Sequence, residues 1–425
     1  MVGPVIDACV HHHWNSQLEV TDRMSEGWRE HLGVPGSLPG GAGAMPILPA
    51  APYRHPSGDY LASAERDDHP AGTDPALTVS QVFGDGPVRR AILSHDRGMF
   101  IPSVPNTYRA SAVAAAMNDW TTERWLEADD RFFGLVVVPN QTSDDGAAEI
   151  RRAGARERMV GVLMAANGLG KPFGHPAYHP IYAAAAELDL PVVLHAGGDV
   201  GADTLTHPTA GGLPATFGEI SALAYSPMMT HVQSLIVQGV FEKYPSLRVF
   251  VSGVGAAWIP GLFFRLDVNW RGLRREVPWV RRPPSEYFRE HVRVATWPFD
   301  RPAESDGAER VVRALDAFGG TEDLLCFASG YPHWNTDTVA DIADRLPDSW
   351  HRKVFHDNAR DWFRWPDRER VRPSAPGSEG VEDVEAVGGV EVGAMPVTGE
   401  RDIPPAQRFY PTEDGREIEW VPAAD

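Results

Sequence analysis

The sequence predicts an α/β protein, a (β/α)8 TIM barrel with a long insertion after strand one and an extended acidic C-terminal tail. Three observations predict it. Eight short apolar runs alternate with amphipathic stretches over most of the chain. The runs are apolar almost continuously, as for strands covered on both faces. The first run ends in Cys9-Val-His-His-His-Trp14. No phosphate-cradling glycine turn resembles that segment, so a barrel is favoured over a doubly wound nucleotide-binding sheet.

The expected strands are Pro4–Val10, Val88–Leu93, Phe132–Val138, Met159–Met164, Pro191–His195, Leu247–Ser252, Val292–Thr296 and Leu324–Ser329. Helical spacing of apolar residues predicts helices over Arg109–Ala128, Asp144–Ala155, Pro180–Leu188, Phe217–Tyr244, Pro260–Arg271 and Glu309–Phe318. Residues 1–365 then form the barrel, and Trp14–Pro87, rich in Gly, Pro and Ala, is an insertion. A loop of that length is either a functional lid or a poorly ordered excursion. Residues 366–425 form an acidic, Pro- and Gly-rich extension without helical period.

Charge and composition exclude several classes. The chain carries 58 acidic and 39 basic residues, a net charge of −19, which repels phosphate backbones and anionic lipid. Nucleic acid and membranes are therefore not expected partners. Asp367–Asp425 holds 14 acidic and 6 basic residues, so the extension alone carries −8. With 43% hydrophobic residues, a disordered chain is excluded. Two cysteines, Cys9 and Cys326, imply no disulfide framework and suit a reducing, cytoplasmic compartment. No apolar run is long enough for a membrane span.

In a barrel of this kind, chemistry sits at the carboxyl ends of the strands. Cys9 and His11 are two apart on the first strand and share a face. His195 ends the fifth strand across the barrel. Cys9, His11 and His195 together are a candidate ligand set for one divalent metal, zinc by preference, with an open fourth position. Cys9 has the plainer alternative of a small buried apolar residue. His333, just past the eighth strand, is placed for general acid–base work near pH 7, with His11 and His195 as further catalytic candidates. His13, Trp14, Trp258, Trp334 and Asn335 follow the ends of strands one, six and eight and are candidates to contact a small-molecule substrate. No GxSxG elbow, P-loop, HExxH or CxxC occurs.

These segments resemble the amidohydrolase-related family that includes aminocarboxymuconate-semialdehyde decarboxylase and the resorcylate-type decarboxylases. The matching stretches are VIDACVHHHW, GHPAYHPIYAAAAELDLPVVLHAGG, LIVQGVFEKYPSLRVFVSGVGAAWIPGLFFRLD, PPSEYFREHVRVATWPF and LLCFASGYPHWNTDT, in the family's order. The resemblance implies a barrel and a metal-dependent hydrolase or decarboxylase of small carboxylate or ring substrates, commonly dimeric. It also implies that His195 is the metal-binding histidine of strand five. The expected cofactor is a divalent metal, Zn or Mn. Two departures stand out. Gly330 replaces a metal-ligating, proton-transferring Asp, and Gly253 replaces Glu or His. A thiolate at Cys9 would restore one negative ligand, and the bare glycines are expected to open space at the barrel mouth.

Three functions follow. One is an enzyme with an altered metal site, acting by hydrolysis, decarboxylation or cyclising dehydration. Another is a metal-free acid–base enzyme of specialised biosynthesis on the same barrel. The last is a non-catalytic binding subunit.

Overall fold

The computed structural model describes residues 2–34, 45–48, 55–66, 69–197, 214–301 and 307–365. Eight strands form one parallel sheet: β1 (Val5–His12), β2 (Val88–His95), β3 (Phe132–Val137), β4 (Met159–Ala165), β5 (Val192–His195), β6 (Val249–Ser252), β7 (Val292–Ala295) and β8 (Leu325–Cys326). They follow one another in sequence order around the sheet. All eight residues of β1 and all seven of β4 are buried, which explains their unbroken apolar runs. Closure comes from hydrogen bonds between β1 and the chain at and beyond β8. Ala8 N–H donates to Phe327 O at 2.9 Å, Gly330 N–H to Cys9 O at 3.0 Å and His11 N–H to Tyr331 O at 2.6 Å. Asp7 Oδ1 adds to the seam by accepting the Ser329 and Cys9 N–H groups.

All eight expected strands are present, with ends shifted by a few residues. The helices differ more. The stretch expected as one helix over Phe217–Tyr244 is three: Phe217–Leu223, Tyr225–Val237 and Val240–Lys243. Gly239, at φ 74°, takes the left-handed conformation that ends the second of them. Pro227 lacks the N–H that would carry the ladder across the first break. The insertion after β1 carries helices of its own, Glu26–His31 and Pro75–Phe83, the latter capped by Asp74. Its segment around Asp59–Leu61 is fastened to the loop after β8. Leu61 N–H donates to Pro332 O at 2.9 Å, and Trp334 N–H donates to Asp59 O at 3.0 Å. This part of the insertion is thus a wall at the barrel mouth. The acidic extension expected at 366–425 lies outside the described residues. Among the described residues, no helix is long and apolar enough to cross a membrane.

One buried histidine outside the mouth ties the fold to pH. His231, on Tyr225–Val237, stacks on Phe173 with centroids 3.9 Å apart. Its Nδ1 accepts the Phe173 N–H at 3.2 Å, so the ring proton sits on Nε2, 3.3 Å from Ala166 O. Burial lowers its pKa from 6.5 to about 4. The unfolded chain therefore takes up a proton near pH 6.5 that the folded chain refuses until about pH 4. His231 should cost the fold about 3 kcal/mol as pH falls through that window. The stability gap between wild type and His231→Gln, read by urea unfolding, should narrow by that amount from pH 7 to pH 4. Parallel pH profiles would contradict this assignment.

Candidate active site at the barrel mouth

Alternation along β1 sends Asp7, Cys9 and His11 to one face, the barrel interior. Register then sets their neighbours. His11 lies beside Ser94 on β2, and His195 lies beside Ser252 on β6. The Cys9 sulfur is 3.4 Å from His11 Nε2, 3.5 Å from His195 Nε2 and 3.5 Å from Ser94 Oγ. All three candidate ligand residues are buried.

The free lone pairs can be assigned from the far side of each ring. His195 Nδ1 lies 2.7 Å from Ala196 O, a carbonyl that only accepts, so Nδ1 carries the proton and Nε2 is bare toward Cys9. His11 Nδ1 lies 3.4 Å from Asp96 Oδ1, a carboxylate whose charge favours the proton on that nitrogen and so the same tautomer. Two imidazole lone pairs therefore face one sulfur that has at most one proton to offer. Burial keeps all three groups neutral when no cation is present. It pushes the Cys9 thiol up to about 12, His11 down to about 4 and His195 down to about 3. Neutral imidazole is the ligating form, and a thiol held this high is no nucleophile by itself.

The donor set fits a divalent cation. Sulfur and nitrogen ligands of a tetrahedral zinc lie about 3.5 Å apart when Zn–S is about 2.3 Å and Zn–N about 2.0–2.1 Å. The observed sulfur–nitrogen separations are 3.4 and 3.5 Å.

A second group adjoins the first. His333 lies at the outer side of His11, ring centroids 4.3 Å apart and nearly perpendicular. Its other ring neighbours are Trp297, stacked with centroids 5.5 Å apart, and Tyr60 at 5.2 Å. With its side chain 20% exposed, His333 faces the open end of the site, whereas His11 at 1% does not. Asp96 stands between the two histidines, its Oδ1 3.4 Å from both His11 Nδ1 and His333 Nε2. The Tyr60 hydroxyl donates to its other oxygen. Burial alone would raise the Asp96 carboxyl, but His11 and His333 hold it well below the usual carboxylate range.

Asp96 and Tyr60 are not among the residues the sequence singles out. Asp96 follows directly on β2, whose expected end fell two residues short, at Leu93. Extending β2 to His95 would have put Ser94 and Asp96 in the inward series. Tyr60 sits in the insertion, where nothing in the sequence reveals its partner.

The other candidates are distributed unevenly. His13 stacks beside Tyr60 at 5.6 Å and lies next to the site. Trp334 is 43% exposed and stacks on His55, forming a rim. Asn335 accepts the Trp297 indole N–H through its backbone carbonyl. Trp14 packs against His95 and Trp120. Trp258 donates to Gly255 O and packs on Phe288. Asp337, in the loop after β8, accepts the Phe299 N–H at 2.8 Å.

The expected open space at the two glycines is not there. A Cβ at Gly330 would meet three atoms of the Trp297 ring at 2.0–2.3 Å. A Cβ at Gly253 would come within 3.0 Å of His195 Cε1. The bare backbone at 330 makes room for an indole, not for substrate.

A family model described as Amidohydrolase matches residues 9–365. The chain belongs to the amidohydrolase family. It is 28% identical over 281 residues to the gamma-resorcylate decarboxylase of Rhodococcus jostii, covering 62% of this chain and 80% of that one. Among solved structures it is similar to 2,6-dihydroxybenzoate decarboxylase from Rhizobium (TM-score 0.59, 19% identity, 85% of this chain and 98% of that one). It is also similar to the 5-carboxyvanillate decarboxylase of Novosphingobium aromaticivorans, solved with manganese and 4-hydroxy-3-methoxy-5-nitrobenzoic acid (TM-score 0.58, 20% identity, 85% and 96% covered). This amidohydrolase is an enzyme of the hydrolase or carbon–carbon lyase type.

Proposed function

We propose that this amidohydrolase is a non-oxidative decarboxylase of a small aromatic carboxylate, with a divalent cation, Zn or Mn, held by Cys9, His11 and His195. The observation that carries the reading is the convergence of one sulfur and two bare imidazole nitrogens at 3.4–3.5 Å, with His333 beside them. The decarboxylases among its relatives favour carbon–carbon cleavage over hydrolysis or cyclising dehydration.

When bound, the cation supplies positive charge that draws electron density from a substrate oxygen. The remaining work falls to the chain. Trp297 and the Tyr60 wall hold His333 at the open side of the site. As the carboxyl group leaves as CO2, the bonding pair stays on the ring carbon, and His333 delivers the proton that carbon then takes. Trp334 and His55 form an aromatic rim suited to a flat ring. The resemblance favours a homodimer, and two free, buried cysteines suit the cytoplasm.

The test is CO2 release from a panel of hydroxylated benzoates. His333→Ala should lower kcat by about 10²–10⁴-fold, the usual worth of a placed acid–base group, with metal content unchanged. No turnover of any aromatic carboxylate by metal-loaded protein would remove the decarboxylase reading. Full turnover after chelation would favour the metal-free enzyme.

A further inference from the structure

The loop after β8 offers no carboxylate to the site, because Gly330 has no side chain and Trp297 fills the space where one would begin. A carboxylate nevertheless reaches the two histidines, from β2. Asp96 Oδ1 is 3.4 Å from His11 Nδ1 and 3.4 Å from His333 Nε2, and Tyr60 holds Oδ2. One side chain thus joins the end of β1, the loop after β8 and the insertion.

We propose that Asp96 is the positioning carboxylate of this site, fixing the His11 tautomer so that Nε2 faces Cys9 and aiming His333. The inference rests on the Cys9/His11/His195 reading for its consequence, though not for its geometry. His11 Nδ1 is buried and makes no hydrogen bond among the described residues, and the Asp96 carboxylate oxygen 3.4 Å away is the charged acceptor beside it. Without Asp96, nothing would favour the proton on Nδ1 over Nε2, and a proton on Nε2 would block the lone pair that faces the sulfur. His195 has its own acceptor in Ala196 O, so the two imidazoles are aimed by independent groups. An acceptor on the far ring nitrogen fixes a metal-binding histidine and makes it more basic, and loss of such a partner typically weakens metal binding about 10–100-fold. His11, Asp96 and His333 also lie close enough to form a cation site of their own. Filled together with the first site, it would require both nitrogens of His11 to ligate at once, which the positioning role does not.

The test uses full-length wild type, Asp96→Asn and Asp96→Glu, with thermal unfolding to confirm that each is folded. Zn(II) affinity and stoichiometry are measured against a chromophoric chelator, and imidazole ¹⁵N spectra of the metal-free proteins report the His11 tautomer. The expected result is one Zn per wild-type chain, bound about 10–100-fold more weakly by Asp96→Asn, with a mixed His11 tautomer in that variant. Asp96→Glu, which keeps the charge, should recover most of both and stands in if the Asn variant does not fold. Equal affinity with an unchanged His11 spectrum would overturn the proposal. Two Zn per chain, the second lost in Asp96→Asn, would also overturn it by making Asp96 a ligand. If wild type takes up no Zn, the metal reading fails alone. The spectra still decide for Asp96: a changed tautomer supports it, an unchanged one refutes it.

Discussion

Gly330→Asp is expected to destabilise the protein by about 2–6 kcal/mol and not to tighten its hold on metal. Two costs add. The new Cβ would overlap the Trp297 ring at 2.0–2.3 Å, and overpacking of a filled interior typically costs about 1–3 kcal/mol. Position 330 also sits at φ 68°, where a side-chain-bearing residue adds strain of order 1–3 kcal/mol, less for Asp than for most. For a domain this large, the fall in Tm should be roughly 3–8 °C. Gly330→Ala separates the causes, since it brings the same overlap without the carboxylate. In a Trp297→Ala background, itself destabilised by loss of a buried indole, Gly330→Asp should cost less than it does in wild type. A single Gly330→Asp variant of wild-type Tm that binds metal more tightly would show that the indole swings aside.

His195→Ala should have the largest effect on metal binding. Wild-type protein should carry about one Zn or Mn per chain, and the variant close to none. As a direct donor in the proposed site, His195 should be worth more than the roughly 10–100-fold of a supporting hydrogen bond. Linkage makes the same point without catalysis. Metal at about 1,000 times its Kd stabilises the folded state by roughly 4 kcal/mol, so added Zn should raise the wild-type Tm and leave His195→Ala unmoved. Equal metal content in both would place the ion elsewhere.

The barrel was legible because strands buried on both faces leave unbroken apolar runs, and all eight are where those runs lie. Alternation along β1 paired Cys9 with His11, and the end of β5 supplied His195. What stayed hidden depends on contacts between distant segments. Asp96 is an ordinary acidic residue until the fold sets it 3.4 Å from two histidines. The space beside Gly330 looked open because a glycine says nothing about who occupies its neighbourhood. Trp297, more than thirty residues earlier in the chain, does. The single helix expected at Phe217–Tyr244 hid its breaks because the apolar spacing runs on through Gly239. Part of the Gly- and Pro-rich insertion proved to be a wall at the barrel mouth, fastened by backbone hydrogen bonds that leave no trace in composition.

In the proposed site, Cys9, His11 and His195 hold one cation through a thiolate and two imidazoles. Cobalt(II) titration of metal-free wild type and Cys9→Ser tests it most directly, because a thiolate bound to cobalt gives an intense near-ultraviolet charge-transfer band. That band is expected in wild type, saturating at about one Co(II) per chain, and not in Cys9→Ser. Cobalt uptake without the band, or the same band in Cys9→Ser, would contradict it.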